Sequence, residues 1–171
     1  MHQKTLEFFA KRRSIRSYTG EPVTRDQIET VLRAAMSAPS ANNLKPARFH
    51  VVSAKDRIRA LCSRHPYASF GADAEVVILP YGLEAAKRSN EHFDQDMGAA
   101  TENLLLATAS LGLGATWCGM DDELQAPVRE VLNMPADWHV FALIPIGVPA
   151  EPLTHDLSYD SARVSWDSPD T

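Results

Sequence analysis

Between Asn103 and Met120 the chain runs 18 residues without a charged side chain. That length touches the lower limit for a membrane span, but Asn103, Thr108, Ser110 and three glycines interrupt it. A buried helix feeding a buried strand is the better reading. The helical pattern reaches back to about Asn90, which predicts one long helix from Asn90 to Leu111. Gly112 follows, where a residue free to adopt positive φ suits a helix end. At about 1.5 Å per residue such a helix spans roughly 33 Å, the breadth of a small domain, so it must run through the centre. Its small residues Gly98, Ala99, Ala100, Ala107 and Ala109 let another backbone approach closely.

The remaining pattern is mixed. Thr5 to Lys11 predicts a short helix, followed by the loop "SYTGEP". Thr24 and Gln27 have the spacing of a capping box, and Ile28, Val31, Leu32 and Ala35 recur behind it at helical spacing. "SAPSANNLKP" is loop by composition. "RFHVVS" and "EVVILPYG" are strand candidates, separated by a helix through Cys62 for which Ser53 and Asp56 offer a cap. "GATWCG" reads as a buried strand, Asp122 to Leu132 as a helix and "WHVFALIPIG" as the last core strand. Helices and strands do not alternate strictly, which predicts the α+β class with a largely antiparallel sheet covered by helices. We read one domain over residues 1–171, of which about 155–171 form a C-terminal tail.

Composition excludes several functions. A formal net charge of -5 disfavours nucleic acids and anionic membranes as partners. The two cysteines, Cys62 and Cys118, have the spacing of neither a redox pair nor a zinc site, so free thiols in a reducing compartment are expected. The N-terminal stretch lacks the apolar run of a signal peptide, and a cytoplasmic location follows by default. The glycines at 112, 114 and 119 fail the spacing of a dinucleotide-binding turn, and no P-loop is present. The six histidines show no close ligand pairing, so no metal site is expected. No serine occupies a G-x-S-x-G turn and Cys118 has no evident partner base, which leaves hydrolysis without machinery.

One segment stands against the acidic total. "KRRSIR", residues 11–16, carries Lys11, Arg12, Arg13 and Arg16. Arginines at a helix end can simply favour the C-terminal dipole and stay solvated. Alternatively, Arg12, Arg13 and Arg16, with the Ser14 hydroxyl, supply forked donors matched to a phosphate.

"RRSIR", "APSANNLKP", "DQDMGAATENLLLATASLGLGATWCG" and "IPIGVP" together resemble the FMN-dependent nitroreductase family, in the same order and at the spacing of its shorter members. The resemblance covers nearly the whole chain. It implies a three-layer α/β/α sandwich around a long central helix, and a homodimer with FMN in the subunit interface. Arg12, Arg13 and Ser14 would hold the phosphate and ribityl side of FMN, and Arg16 the pyrimidine edge. Pro39, Ser40, Ala41 and Asn43 would approach the same flavin from the partner chain. Trp117, Cys118 and Gly119 would lie along the flavin ring with their backbone, an amide facing N5. The implied activity is ping-pong hydride transfer from NADH or NADPH through FMN to a small-molecule acceptor such as a nitroaromatic, quinone or flavin. No catalytic side chain is implied, because the flavin carries the chemistry.

Three departures mark this chain within the resemblance. Lys45 and Ala47 stand where many members have Gln and Trp, which opens the pocket and adds a cation. After "GVPAEP" the usual basic residues give way to "LTHDLSYD", leaving His155 and Arg163 as the basic side chains of the tail. Asp73 and Glu75 occupy positions that are usually more apolar. Other readings remain open at this level: a flavin storage or sensory protein, an enzyme of the reductive dehalogenase type, or an arginine surface that docks an acidic protein.

Overall fold

The computed structural model of the protein describes residues 2–153 and 157–167. Its strands are β1 (Arg48–Val52), β2 (Val76–Leu83), β3 (Gly114–Ala115), β4 (Cys118–Gly119), β5 (Trp138–Val140) and β6 (Ala142–Gly147). All pair antiparallel, in the order β1-β2-β6-β3, with β5 on β2 and β4 on β6. Side chains alternate across a strand, and in β2 Val76 and Ile78 enter one core while Val77 and Leu79 enter the other. Both faces are therefore covered. Helices α2 (Arg25–Met36) and α5 (Phe93–Ser110) supply Ile28, Val31, Leu104 and Leu105 to the first core. Helices α3 (Lys55–Arg64) and α6 (Asp122–Leu132) supply Ile58, Leu61, Val128 and Leu132 to the second. The result is the three-layer α/β/α sandwich of the sequence reading.

Sequence logic is visible in several elements. Thr24 and Gln27 form their capping box: the Thr24 hydroxyl accepts from the Gln27 N–H at 3.2 Å, and Gln27 Oε1 accepts from the Thr24 N–H at 2.8 Å. Helix α5 stops at Ser110, and Gly112 takes a φ of 74°. Among the described residues, no helix is long and apolar enough to cross a membrane.

Other expectations are corrected by the fold. The helix expected from Asn90 to Leu111 starts later than expected: a separate α4 (Glu84–Ser89) precedes it, Asn90 turns extended at φ -122°, and α5 begins at Phe93. The reason is tertiary. The Phe93 ring seats against Gly82 of β2, where any Cβ would collide with it. Helix α1 (His2–Ala10) starts ahead of Thr5. Ser53 does not cap α3, because Ala54 holds the N-cap position without a side-chain bond. "GATWCG" splits into β3 and β4; the pairing with β6 sets Thr116 opposite Pro145, which has no N–H to give. "WHVFALIPIG" carries a bulge: between the pairs Val140–Tyr81 and Ile144–Ile78, Phe141 to Leu143 face only Pro80 and Leu79.

Candidate functional site

The cationic turn is stitched to the sheet. Ser14 bridges in parallel to Ala115, the Ile15 N–H donates to the Ala115 carbonyl at 3.0 Å, and Thr116 Oγ1 donates to the Ile15 carbonyl at 2.6 Å. Ile15 is fully buried. It packs so tightly on Gly114 that a Cβ there would lie 2.6 Å from Ile15 Cγ2, so the chain needs glycine at that point. With Ile15 directed inward, its neighbours Ser14 and Arg16 remain accessible.

Two cations of this turn, Arg12 and Arg13, meet carboxylates of their own chain. Arg12 Nε lies 3.8 Å from Glu102 Oε1 of α5. Burial pushes the Glu102 carboxyl above its ordinary pKa, and the Arg12 guanidinium pulls it partly back. Arg13 Nη2 donates to Glu151 Oε2 at 3.3 Å and Nη1 to the Pro152 carbonyl at 3.1 Å. The other oxygen of Glu151 accepts from the Arg16 backbone N–H at 3.1 Å. One carboxylate thus receives donors from both ends of Arg13–Arg16.

Beside the turn, Arg16, Thr116, Trp117, Cys118 and Gly119 border a cavity of about 420 Å³, with Phe70 on another wall. The Arg16 guanidinium stands 5.8 Å from the Phe70 ring centroid, a cation–π distance. His65 Nε2 lies 2.7 Å from the Gly119 carbonyl and fixes that strand end. A Cβ on Gly119 would meet nothing within 4 Å, so its backbone is open to a ligand. Trp117 is 37% exposed and tilts against Phe141, ring centroids 5.6 Å apart. Cys118 is buried, and burial pushes its thiol up to about 11 and that of Cys62 to about 12. Both are protonated thiols near neutrality, poor nucleophiles.

Pro39, Ser40, Ala41 and Asn43 lie elsewhere. Ala41–Asn43 form one 3-10 turn, and Asn42, Asn43 and Lys45 have φ of 51°, 56° and 48°. Three left-handed non-glycine residues so close together are uncommon; asparagine tolerates the region, whereas a lysine there costs about 1–2 kcal/mol. The Ala41 N–H donates to Asp96 Oδ1 at 2.8 Å, and the Lys45 N–H to Ser40 Oγ at 2.9 Å. Pro39, Ser40, Lys45, Pro46, Ala47 and Asp96 help line a second cavity of about 320 Å³. Within this chain, then, Arg16, Trp117, Cys118 and Gly119 share one cavity, while Pro39 and Ser40 border another. Arg12 and Arg13 precede Arg16 on the same turn and are held in ion pairs with Glu102 and Glu151.

Sequence reasoning missed Phe70, Glu151 and Asp96. Asp96 was within reach, since Phe93, Asp96, Met97 and Ala100 form the buried stripe of α5 at helical spacing; two acids in a first turn read instead as partners of the helix dipole. Of the tail cations, Arg163 sits in an exposed 3-10 turn, Ser161–Arg163, and His155 lies outside the described residues.

Comparison with solved structures defines the class first. The FMN-dependent nitroreductase of Clostridium difficile R20291 superposes with a TM-score of 0.86 at 27% identity, covering 95% of this chain and 99% of that one. A nitroreductase of Desulfovibrio desulfuricans in complex with FMN superposes at 0.83, with 32% identity and 97% of each chain covered. A family model described as the nitroreductase family matches residues 9–66 and 60–148. A protein of Methanothermobacter thermautotrophicus named as an NADH dehydrogenase/NAD(P)H nitroreductase is 36% identical over 163 residues, 93% of this chain and 84% of that relative. The chain belongs to the nitroreductase family.

Proposed function

We propose that the protein is an FMN-dependent NAD(P)H oxidoreductase, with NADH or NADPH as co-substrate and a small oxidised molecule as acceptor. The single observation that carries this reading is the carboxylate of Glu151, gripped by the Arg13 side chain and the Arg16 backbone. The turn is a working anion site whose present anion is its own. A half-exposed pair of this kind contributes about 0–1 kcal/mol, whereas each charge-assisted hydrogen bond to a phosphate contributes about 1.5–3 kcal/mol, so a phosphate displaces it.

The residues present fit FMN. Arg12, Arg13 and Ser14 would hold the phosphate and ribityl side. Arg16 would face the pyrimidine edge, where a cation favours negative charge on that edge. Trp117, Cys118 and Gly119 would lie along the ring, with the open backbone of Gly119 giving close approach and His65 holding it in place. Bound FMN supplies the two-electron transfer itself. The protein's part is to bind, orient and exclude water, and neither protonated thiol is asked to react.

The loop of Pro39, Ser40, Ala41 and Asn43 would complete the site of a second copy in a homodimer. Its separation from the Arg16 cavity within one protomer supports this arrangement, as do exposed apolar side chains on α1 (Leu6, Phe8, Phe9) and in the tail (Tyr159, Trp166). The tail would then pack on the partner, making 1–171 one cofactor-binding unit. Two buried free thiols fit a cytoplasmic setting.

Purified protein should take up FMN with a stoichiometry of one per chain, and anaerobic NADH or NADPH should bleach the flavin band within seconds. Absence of flavin uptake would refute the reading. A band that persists under both nucleotides would reduce the protein to a flavin carrier. A following screen of quinones, nitroaromatics and free flavins identifies the acceptor class.

A further inference from the structure

Asp96 is a carboxylate buried in the first turns of α5, only 7% exposed. Placing such a group out of water is costly unless it is fully hydrogen-bonded, and none of the chemistry described above uses it. Its two oxygens have separate tasks. Oδ1 accepts from the Ala41 N–H at 2.8 Å, across 55 positions of sequence, and Oδ2 accepts from Asn90 Nδ2 at 2.9 Å. Asn90 in turn is oriented by the His92 N–H, which donates to its Oδ1 at 3.0 Å. The acid–amide pair therefore has one sense only, with the acceptor at 96 and the donor at 90.

The recipient of this hold is the strained loop. Asn42, Asn43 and Lys45 keep positive φ there, conformations that persist only where the surroundings over-determine them. Among the described residues, and apart from the Ser40–Lys45 bond inside the loop, the Asp96 bond is the side-chain hydrogen bond that ties the turn to a helix. Asp96 also lines the cavity that Pro39, Ser40 and Lys45 border.

We infer that Asp96 is a positioning residue: its carboxylate, oriented by Asn90, holds the Ser40–Lys45 loop in the conformation that presents it to the cofactor. The cofactor half of this statement rests on the proposed function. The loop half does not.

The test uses the full chain and four variants, the fourth combining Asp96→Asn with Ala41→Pro. Asp96→Asn keeps the size but sets an amide donor against the Asn90 donor. Adding Asn90→Asp reverses the pair and restores one donor facing one acceptor. Ala41→Pro removes the N–H and sets the ring Cδ against Asp96 Oδ1, at a site where Ser40 is already extended at φ -144°, ψ 152°, as a residue before proline must be. Hydrogen exchange of the 38–47 segment reads the loop, and FMN titration reads the site. We expect Asp96→Asn and Ala41→Pro each to speed exchange and to weaken FMN binding by about tenfold, the loss of one charge-assisted hydrogen bond. The two together should be no worse than the worse single change. Asp96→Asn/Asn90→Asp should bind FMN within about threefold of wild type, a rescue that a merely space-filling role would not give.

Unchanged exchange in Asp96→Asn overturns the inference. Faster exchange with unchanged FMN affinity overturns its cofactor half. If Asp96→Asn does not fold, Ala41→Pro decides by the same two readouts. Wild-type protein that binds no FMN defeats the proposed function and the cofactor half together, while the exchange experiment still decides the loop.

Discussion

The turn at residues 12–16 and the loop at 39–45 are organised in opposite ways. Backbone pairing holds the turn: Ser14 and Ile15 extend the sheet beside Ala115, and Ile15 is sunk into the core. Among the described residues the loop pairs with no strand, and a hydrogen bond from its Ala41 N–H to one buried carboxylate fastens it. Ordinary residues suffice for the turn, whereas the loop keeps three non-glycine residues left-handed. The difference teaches where tolerance lies. Side chains on the turn can be changed to alter ligand affinity without moving its backbone, whereas the loop's shape depends on side chains remote in sequence.

The largest expected effect attacks the side-chain part of the turn. Arg12→Ala should raise the FMN dissociation constant about 10- to 100-fold, the loss of one or more charge-assisted hydrogen bonds, with little change in melting temperature. Fluorescence titration and calorimetry together check both halves of that statement. Next comes the backbone: Gly114→Ala forces a Cβ against Ile15 and should cost about 1–3 kcal/mol, seen as a lower denaturation midpoint. If Gly114→Ala left stability intact, the turn would not be fixed by the core as argued.

A pH titration examines the same core. Burial raises Cys118 to about 11 and Cys62 to about 12, from an ordinary 9.0. The unfolded chain therefore loses these protons first, and stability should be complete below pH 9 and fall as pH rises through 11 and 12. Cys118→Ala should make the slope of melting temperature against pH shallower over that window. A smaller gain is expected from Glu151→Gln, which removes the internal anion and should tighten FMN binding a few-fold, up to the roughly 1 kcal/mol of such a pair. Weaker binding in that variant would mean that Glu151 assists the cofactor and does not compete with it. Smallest of all, Lys45→Asn relieves a left-handed lysine and should raise the melting temperature by about 1–4 °C.

How far the sequence reaches differs between the two regions. Local rules expose the Thr24–Gln27 cap, the end of α5 at Gly112 and the apolar run of β2, since each depends on neighbours within a few residues. The arginine turn is legible too, as charge density. What stays hidden depends on distant partners. The start of α5 is set by Phe93 meeting Gly82, and the split of the "GATWCG" strand falls where Thr116 faces Pro145 across the sheet. Glu151 reaches Arg13 across 138 positions. Asp96 is legible as part of the buried stripe of α5, but its tie to the Ala41 amide exists only once the fold brings the two together.

The Glu151 carboxylate has one more implication. As an anion held in place by the fold beside the cations that it neutralises, it acts at a local concentration that is fixed whatever the solution contains. Free phosphate, chloride or a nucleotide must compete with that constant. If FMN binds at this turn, its loading would be a comparison with an internal standard, and added salt, which screens both anions, should shift the ratio of loaded to empty protein less than it would at an unguarded arginine cluster.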